Sequence, residues 1–190
     1  MEMIKKITGA VLIGALAASL TACSPSANSS DKGGAKGLIS SADAASVSEG
    51  KRGEEGDFML KDIHGKEYRL SDFKGKKVFI KFWASWCSVC MATIGETNRL
   101  AGENNDFVVL SIVAPGFGGE MKKDDFIKWY NGLEYKNIPV LLDEGGEVTK
   151  AYGVRFYPTG ALIDSEGKVR AVVPGHIPSD TLKEKMATLP

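Results

Sequence analysis

Apolar positions along the chain follow two different periods, and their alternation predicts a sheet flanked by helices. Strands that are covered on both faces typically show largely apolar runs. Such runs occur here at 78–82, where Lys81 is the one charged residue, at 107–113 and at 138–142. Apolar residues at helical spacing occupy four other segments, at 91–100, 124–130, 147–152 and 179–189. This order predicts an α/β fold built around a central mixed β-sheet.

Shorter strand-like segments at both ends of this region predict two β-hairpins. The first joins 57–62 to 67–70 and turns at Gly65, because glycine readily adopts the positive φ that tight turns need. The second joins 160–164 to 168–173 near the end of the chain.

Two serines stand where helices are expected to begin, since a serine hydroxyl can accept a hydrogen bond from a free N–H group of the first turn. Ser71 would cap a helical turn before the central strand. Ser179 would cap a last helix that runs through Leu182, Met186 and Leu189.

Two cysteines three positions apart stand between the central strand and the helix that follows it. Cys87 would lie at the helix N-terminus, where free N–H groups and the helix dipole favour a thiolate. Cys90, one turn into the helix, can reach back and close a disulfide. So short a loop constrains the unfolded chain little. We therefore interpret Cys87 and Cys90 as a redox pair rather than a structural crosslink.

Metal binding is the alternative use of such a pair. A structural zinc site needs four ligands, and the remaining candidates, Cys23, His64 and His176, are not paired at ligand spacing. A copper site made from the cysteines and His176 has no other soft ligand to support it. We expect no metal and no cofactor other than the redox-active disulfide Cys87–Cys90.

The first 22 residues have the pattern of a bacterial lipoprotein signal peptide. Lys5 and Lys6 precede an apolar run at 7–20, which is too short to span a bilayer comfortably. The run ends in Leu20-Thr21-Ala22-Cys23, which resembles the lipobox in which the cysteine is lipidated after cleavage. An ordinary signal peptide with an incidental cysteine is the alternative. The pattern predicts a signal peptide at 1–22 and a lipid on Cys23.

Residues 23–52 are rich in Ser, Ala and Gly and contain no aromatic residue, so we predict a flexible tether between the lipidated cysteine and a folded domain at 53–190. The chain has 24 basic and 24 acidic residues. No basic patch indicates nucleic-acid binding. Membrane attachment would depend on the lipid rather than on an amphipathic helix.

The segment Trp83-Ala84-Ser85-Trp86-Cys87-Ser88-Val89-Cys90, together with Tyr157-Pro158-Thr159, resembles the thioredoxin-like superfamily over 53–190. The resemblance implies a cis-proline at Pro158 that faces the cysteine pair. It also implies that the backbone at Tyr157 and Thr159 holds the substrate chain, while Trp86 shapes the docking surface beside Cys87. Trp83 is expected in the core.

A narrower resemblance concerns the middle of the domain. The insertion between Val113 and Pro139 looks like the extra helix of extracytoplasmic TlpA-like and ResA-like proteins. The stretches 113–117, 129–135 and 138–140 are similar to streptococcal surface thioredoxin lipoproteins and to the N-terminal domain of PilB-type methionine sulfoxide reductases. This implies a monomeric, lipid-anchored disulfide reductase on the extracytoplasmic face of the cell membrane. Its partner would be a surface methionine sulfoxide reductase, and a CcdA/DsbD-type membrane protein would supply its electrons.

Three residues near the pair leave their roles open. Lys81 stands where cytoplasmic thioredoxins carry a buried aspartate, and a cation there would favour thiolate. Glu96 or water is the alternative proton acceptor. Phe117 and its neighbouring glycines would form either a rim of the site or a plain surface loop.

Two other functions remain open at this stage. The protein could introduce disulfides into secreted proteins, which reverses the electron flow, or it could be a lipoprotein that only binds a partner. The reduction potential distinguishes the first from a reductase. The second is disfavoured because both Cys87 and Cys90 are present.

Overall fold

A seven-stranded mixed sheet lies at the centre of the computed structural model, which describes residues 56–190. The strands are β1 (Met59–Asp62), β2 (Glu67–Arg69), β3 (Lys77–Phe82), β4 (Phe107–Val113), β5 (Val140–Leu142), β6 (Thr159–Ile163) and β7 (Val169–Pro174). The helices are α1 (Ser88–Ala101), α2 (Lys123–Tyr130), α3 (Glu147–Ala151) and α4 (Ser179–Ala187), and a 3-10 turn spans Leu70–Phe73. This is the thioredoxin-like α/β architecture that the sequence predicts.

The strand order, β2-β1-β5-β4-β3-β6-β7, places the central strand β3 between a parallel and an antiparallel neighbour. β3, β4 and β5 run parallel, and α1 and α2 lie in the crossovers that parallel strands require. Both predicted hairpins form, as β1–β2 and β6–β7, and Gly65 in the first turn has a φ of +84°. The carboxyl end of β3 leads directly into the cysteine pair.

Each face of the sheet carries its own apolar core, because side chains alternate along β3. Phe79 joins the cluster under α1, α2 and α4, which includes Ile94, Phe126 and Met186. Ile80 and its neighbours on the other face pack with the 3-10 turn and with Tyr152, just after α3. Lys81 is on the same face as Phe79, so it points towards α1.

The two predicted serine caps are wrong. Ser71 is the second residue of the 3-10 turn, and its N–H donates to Asp57 Oδ1 at 3.1 Å. Ser179 is the first residue of α4, and its N–H donates to Glu96 Oε1 at 2.7 Å. Carboxylates distant in the sequence thus take the role expected of the local hydroxyls. The last helix ends at Ala187, before Leu189.

The signal peptide, the lipid on Cys23 and the whole predicted tether lie outside the described residues. Within 56–190, no helix combines the length and the apolar character needed to cross a membrane.

Candidate functional site: a disulfide at a helix N-terminus

The two cysteines form a disulfide at the start of α1, with their Cα atoms 5.2 Å apart. Cys87 is the N-cap residue of α1, with extended backbone, and its Sγ accepts a hydrogen bond from the N–H of Cys90 at 3.2 Å. This sulfur therefore takes the place that a serine or aspartate oxygen occupies at most helix starts. In the reduced protein the same N–H and the helix dipole favour a thiolate on Cys87.

The two sulfur positions differ in their access to solvent. Cys87 is 7% exposed, whereas Cys90 is completely buried in the core beneath α1. An incoming partner can therefore reach Cys87 but not Cys90. Among residues 56–190, no group of three or more His, Cys, Asp or Glu side chains could hold a metal ion.

Cys87 is the last residue of a tight turn that begins at Ala84. The N–H of Cys87 donates to the carbonyl of Ala84 at 3.3 Å, which places Ser85 and Trp86 at the centre of the turn. Trp86 is 56% exposed, and its ring meets the Tyr157 ring edge-to-face at 5.9 Å. An exposed indole beside a reactive sulfur offers apolar contact area for a docked chain.

Pro158 follows a cis peptide bond and leads into β6. Because Thr159 pairs with Phe82 at the end of β3, Pro158 lies at the level where β3 turns towards the cysteines. The Thr159 hydroxyl donates to the carbonyl of Phe156 at 2.7 Å and fixes the loop that carries the proline. The Phe156 side chain is 69% exposed. Trp86, Tyr157, Pro158 and Thr159 thus lie at one end of the sheet.

The glycine-rich segment after β4, which we call the glycine loop (114–121), contacts this surface through its backbone. A Cβ atom built on Gly119 would lie 3.5 Å from Trp86 Nε1, and one on Gly118 would lie 4.0 Å from the Tyr157 ring. The Phe117 ring packs instead on Gly146, and Lys150 Nζ lies 4.8 Å from its centroid. Burial raises the pKa of Tyr157, and the nearby carboxylates add to this effect.

Lys81 is buried behind the cysteine helix. Only 3% exposed, it donates from Nζ to the hydroxyls of Thr93 and Thr97, at 2.9 and 3.0 Å. Burial lowers the pKa of Lys81 to about 8, and the charge of Glu96 opposes the shift. Thr93 lies one turn after Cys90 on α1, so the Lys81 amine binds the helical turn that follows the second cysteine.

Glu96 ties α1 to the end of the chain. Besides the N–H of Ser179, it binds His176 Nε2 at 2.9 Å. The hydrogen bond to Ser179 holds the pKa of Glu96 below its usual value, and His176 adds to this effect. A cavity of about 10 Å³ lies between these groups, Lys81 and Thr159, which is about the size that a single water requires.

Two features of the site were not predicted from the sequence, and only one of them has a signal there. Glu120 at the end of the glycine loop binds Ser85, 35 positions earlier, and no spacing rule pairs such residues. Phe156 could have been suspected, since it is an aromatic residue directly before the Tyr157-Pro158-Thr159 segment.

Comparisons with known proteins agree with this geometry. The Redoxin family model matches residues 45–187. The thiol-disulfide oxidoreductase ResA of Bacillus subtilis strain 168 is 37% identical over 144 residues, which cover 74% of this chain and 75% of ResA.

Two solved structures extend the agreement. The exposed lipoprotein thioredoxin of Streptococcus pneumoniae strain TIGR4 is 51% identical with a TM-score of 0.68, and the match covers 70% of this chain and 99% of that one. The N-terminal domain of PilB from Neisseria gonorrhoeae is 32% identical with a TM-score of 0.64, covering 68% of this chain and 87% of that domain. This chain therefore belongs to the Redoxin family and, with its Cys87–Cys90 pair, is a thiol–disulfide oxidoreductase.

Proposed function

We propose that this protein is a lipid-anchored reductase of protein disulfides on the extracytoplasmic face of the cell membrane, and that its partner is a surface methionine sulfoxide reductase. The observation that carries the exchange of protein disulfides is the unequal access to the two cysteines, and the reduction potential decides in which direction the electrons flow. Cys87 caps the N-terminus of α1 and keeps 7% of its surface exposed, whereas Cys90, one turn into the helix, is completely buried. Such a pair suits attack by the first thiolate and resolution by the second thiol.

The chemistry transfers two electrons to the partner. The Cys87 thiolate attacks one sulfur of the partner's disulfide, so that a mixed disulfide forms and the other partner sulfur leaves as a thiolate. The Cys90 thiol then loses its proton and attacks Cys87 Sγ. This closes the Cys87–Cys90 disulfide and releases the second partner sulfur as a thiolate. The partner is reduced, and the protein must be re-reduced by a donor, which we propose to be a CcdA/DsbD-type membrane protein.

Similarity supports the location and the partner. The pneumococcal relative is an exposed lipoprotein, and the present chain carries its own lipobox-like segment ending in Cys23. The partner is proposed from the resemblance of 113–117, 129–135 and 138–140 to PilB-type methionine sulfoxide reductases, and the similarity to the PilB N-terminal domain is consistent with it. Labelling cells with a radioactive fatty acid tests the anchor: wild-type protein should take up label, and the Cys23→Ala variant should take up none.

Trapping tests the division of labour between the cysteines. With Cys90→Ser, the mixed disulfide has no resolving thiol, so we expect a covalent complex with an oxidised methionine sulfoxide reductase that dithiothreitol releases. Cys87→Ser is the matched control and should trap nothing, because Cys90 is inaccessible. A complex formed equally well through Cys90 would refute the assignment.

Turnover tests the partner. With the reduced protein in molar excess as sole electron donor, the methionine sulfoxide reductase should convert about one sulfoxide for each donor molecule, because each dithiol supplies two electrons. The double variant Cys87→Ser/Cys90→Ser should support none. Normal turnover with the double variant as sole donor would reject this partnership.

A further inference from the structure

Glu120 is a buried carboxylate that the exchange chemistry does not use. It is 8% exposed and stands at the end of the glycine loop, just before α2. A carboxylate this far from solvent must recover the hydrogen bonds that it would have in water, or its burial is strongly unfavourable. Its partners therefore indicate what it does.

The partners of Glu120 lie on both sides of the site. Oε2 accepts the backbone N–H of Ser85 at 2.6 Å, and Oε1 accepts the Ser85 hydroxyl at 2.6 Å and the N–H of Met121 at 2.7 Å. All three donors are neutral, so these are short hydrogen bonds assisted by the single charge of the carboxylate. Ser85 is the second residue of the turn that delivers Cys87.

The glycine loop is itself closed by backbone hydrogen bonds, so fixing one end fixes the rest. The N–H of Gly116 donates to the carbonyl of Met121 at 2.9 Å, and the N–H of Glu120 donates to the carbonyl of Phe117 at 3.0 Å. Gly119 then lies against Trp86, whose other neighbour is Tyr157. Through Ser85, the carboxylate holds the loop and the cysteine turn in a single arrangement.

We propose that Glu120 is a positioning residue for the partner-docking surface: by joining the glycine loop to the Ala84–Cys87 turn, it holds Trp86 between Gly119 and Tyr157 before a partner arrives. A surface that is already ordered loses less conformational entropy on docking. Glu120 touches neither sulfur, so its effect falls on recognition of a protein partner. This inference rests on the proposed exchange with protein disulfides and assigns a residue that the exchange itself does not require.

The test compares a substrate that needs docking with one that does not. Glu120→Gln keeps the size of the side chain, but its NH2 group must face one of the three donors, and the charge is lost. Steady-state rates are measured with intact insulin and the oxidised methionine sulfoxide reductase as protein disulfides, and with dithiobis-nitrobenzoate as a small disulfide. Glu134→Gln, at an exposed position, is the matched control.

We expect Glu120→Gln to lower kcat/KM for the protein disulfides about tenfold, mainly through KM, which corresponds to one strong hydrogen bond. The rate with the small disulfide should change less than about twofold, since that probe needs no docking surface. Ser85→Ala, which removes only the hydroxyl donor, should show a smaller loss in the same direction and serves if the first variant does not fold.

Two results would overturn the proposal. One is a protein-disulfide kcat/KM that stays at the level of Glu134→Gln. The other is an equal fall with all three substrates, which would mean general damage to the redox centre. If the wild-type protein reduces insulin but not the methionine sulfoxide reductase, the proposed partner is rejected, and the comparison on insulin still decides the role of Glu120.

Discussion

Replacing Lys81 by methionine should change how the stability of the protein depends on pH. The amine is buried, and its folded-state pKa is about 8, against 10.5 for an unburied lysine. Below pH 8 the folded protein must keep a charged amine away from water, and this cost is relieved as the pH rises from the folded to the unfolded pKa. The unfolded chain binds the extra proton in that window, so stability rises with pH.

The size of the effect follows from the two pKa values. Over the whole window the gain amounts to about 3.5 kcal/mol, because each pKa unit corresponds to about 1.4 kcal/mol. Between pH 7 and pH 9 the linkage relation gives about 1.3 kcal/mol. Methionine has a similar length and cannot be charged, so the variant lacks this contribution. Both threonines keep backbone acceptors, since their hydroxyls also donate to carbonyls of α1.

The assay is urea unfolding of the oxidised proteins at pH 7, 8 and 9, where the disulfide keeps the cysteines from titrating. We expect the free energy of unfolding of the wild type to rise by about 1.3 kcal/mol relative to Lys81→Met. Lys128→Met, exposed on α2, is the matched control. If the difference in unfolding free energy between wild type and Lys81→Met changes by less than about 0.3 kcal/mol from pH 7 to pH 9, Lys81 does not lose a proton in this range and the prediction is refuted.

Two further predictions concern the packing around the site. Glu96→Ala should lower the free energy of unfolding by about 1 kcal/mol, because the N–H of Ser179 at the start of α4 loses its acceptor. Since the folded-state pKa of Glu96 is lowered, the difference in unfolding free energy from wild type should close as the pH falls below 4.5, and a difference that persists in acid would contradict this origin. Gly160→Ala should cost about 1–3 kcal/mol, because the new Cβ would lie 2.9 Å from the buried Phe79 ring; a melting temperature equal to that of wild type would show that the ring moves aside.

Local patterns in the sequence were enough to predict the sheet, its helices and the redox pair. The apolar run before Cys87 and the helical spacing after it identify the strand and the helix without any long-range information. The hairpins follow from short strands around glycine turns. These strands, helices and turns are determined mainly by residues close together in the sequence, so the sequence alone is enough to predict them.

Contacts between distant segments were not predictable in the same way. The serine caps failed because Asp57 and Glu96 reach across the fold and accept the backbone N–H groups of Ser71 and Ser179 themselves. Lys81 on β3 binds hydroxyls on α1, which packs against the sheet. Glu120 binds a turn that lies 35 positions earlier in the sequence. Each of these contacts depends on how the helices, strands and loops pack together. Hydrophobic periodicity does not predict which polar side chains this packing brings into contact.

The reduction potential of the Cys87–Cys90 pair distinguishes a reductase from a disulfide-introducing oxidase, since the two share this geometry. The purified protein is equilibrated in dithiothreitol or glutathione redox buffers, and the fraction of free thiol is measured after alkylation. We predict a potential near or below about −230 mV, among the thioredoxin-type reductants. A value near about −120 to −150 mV would contradict this prediction and would indicate that electrons flow from the partner to this protein.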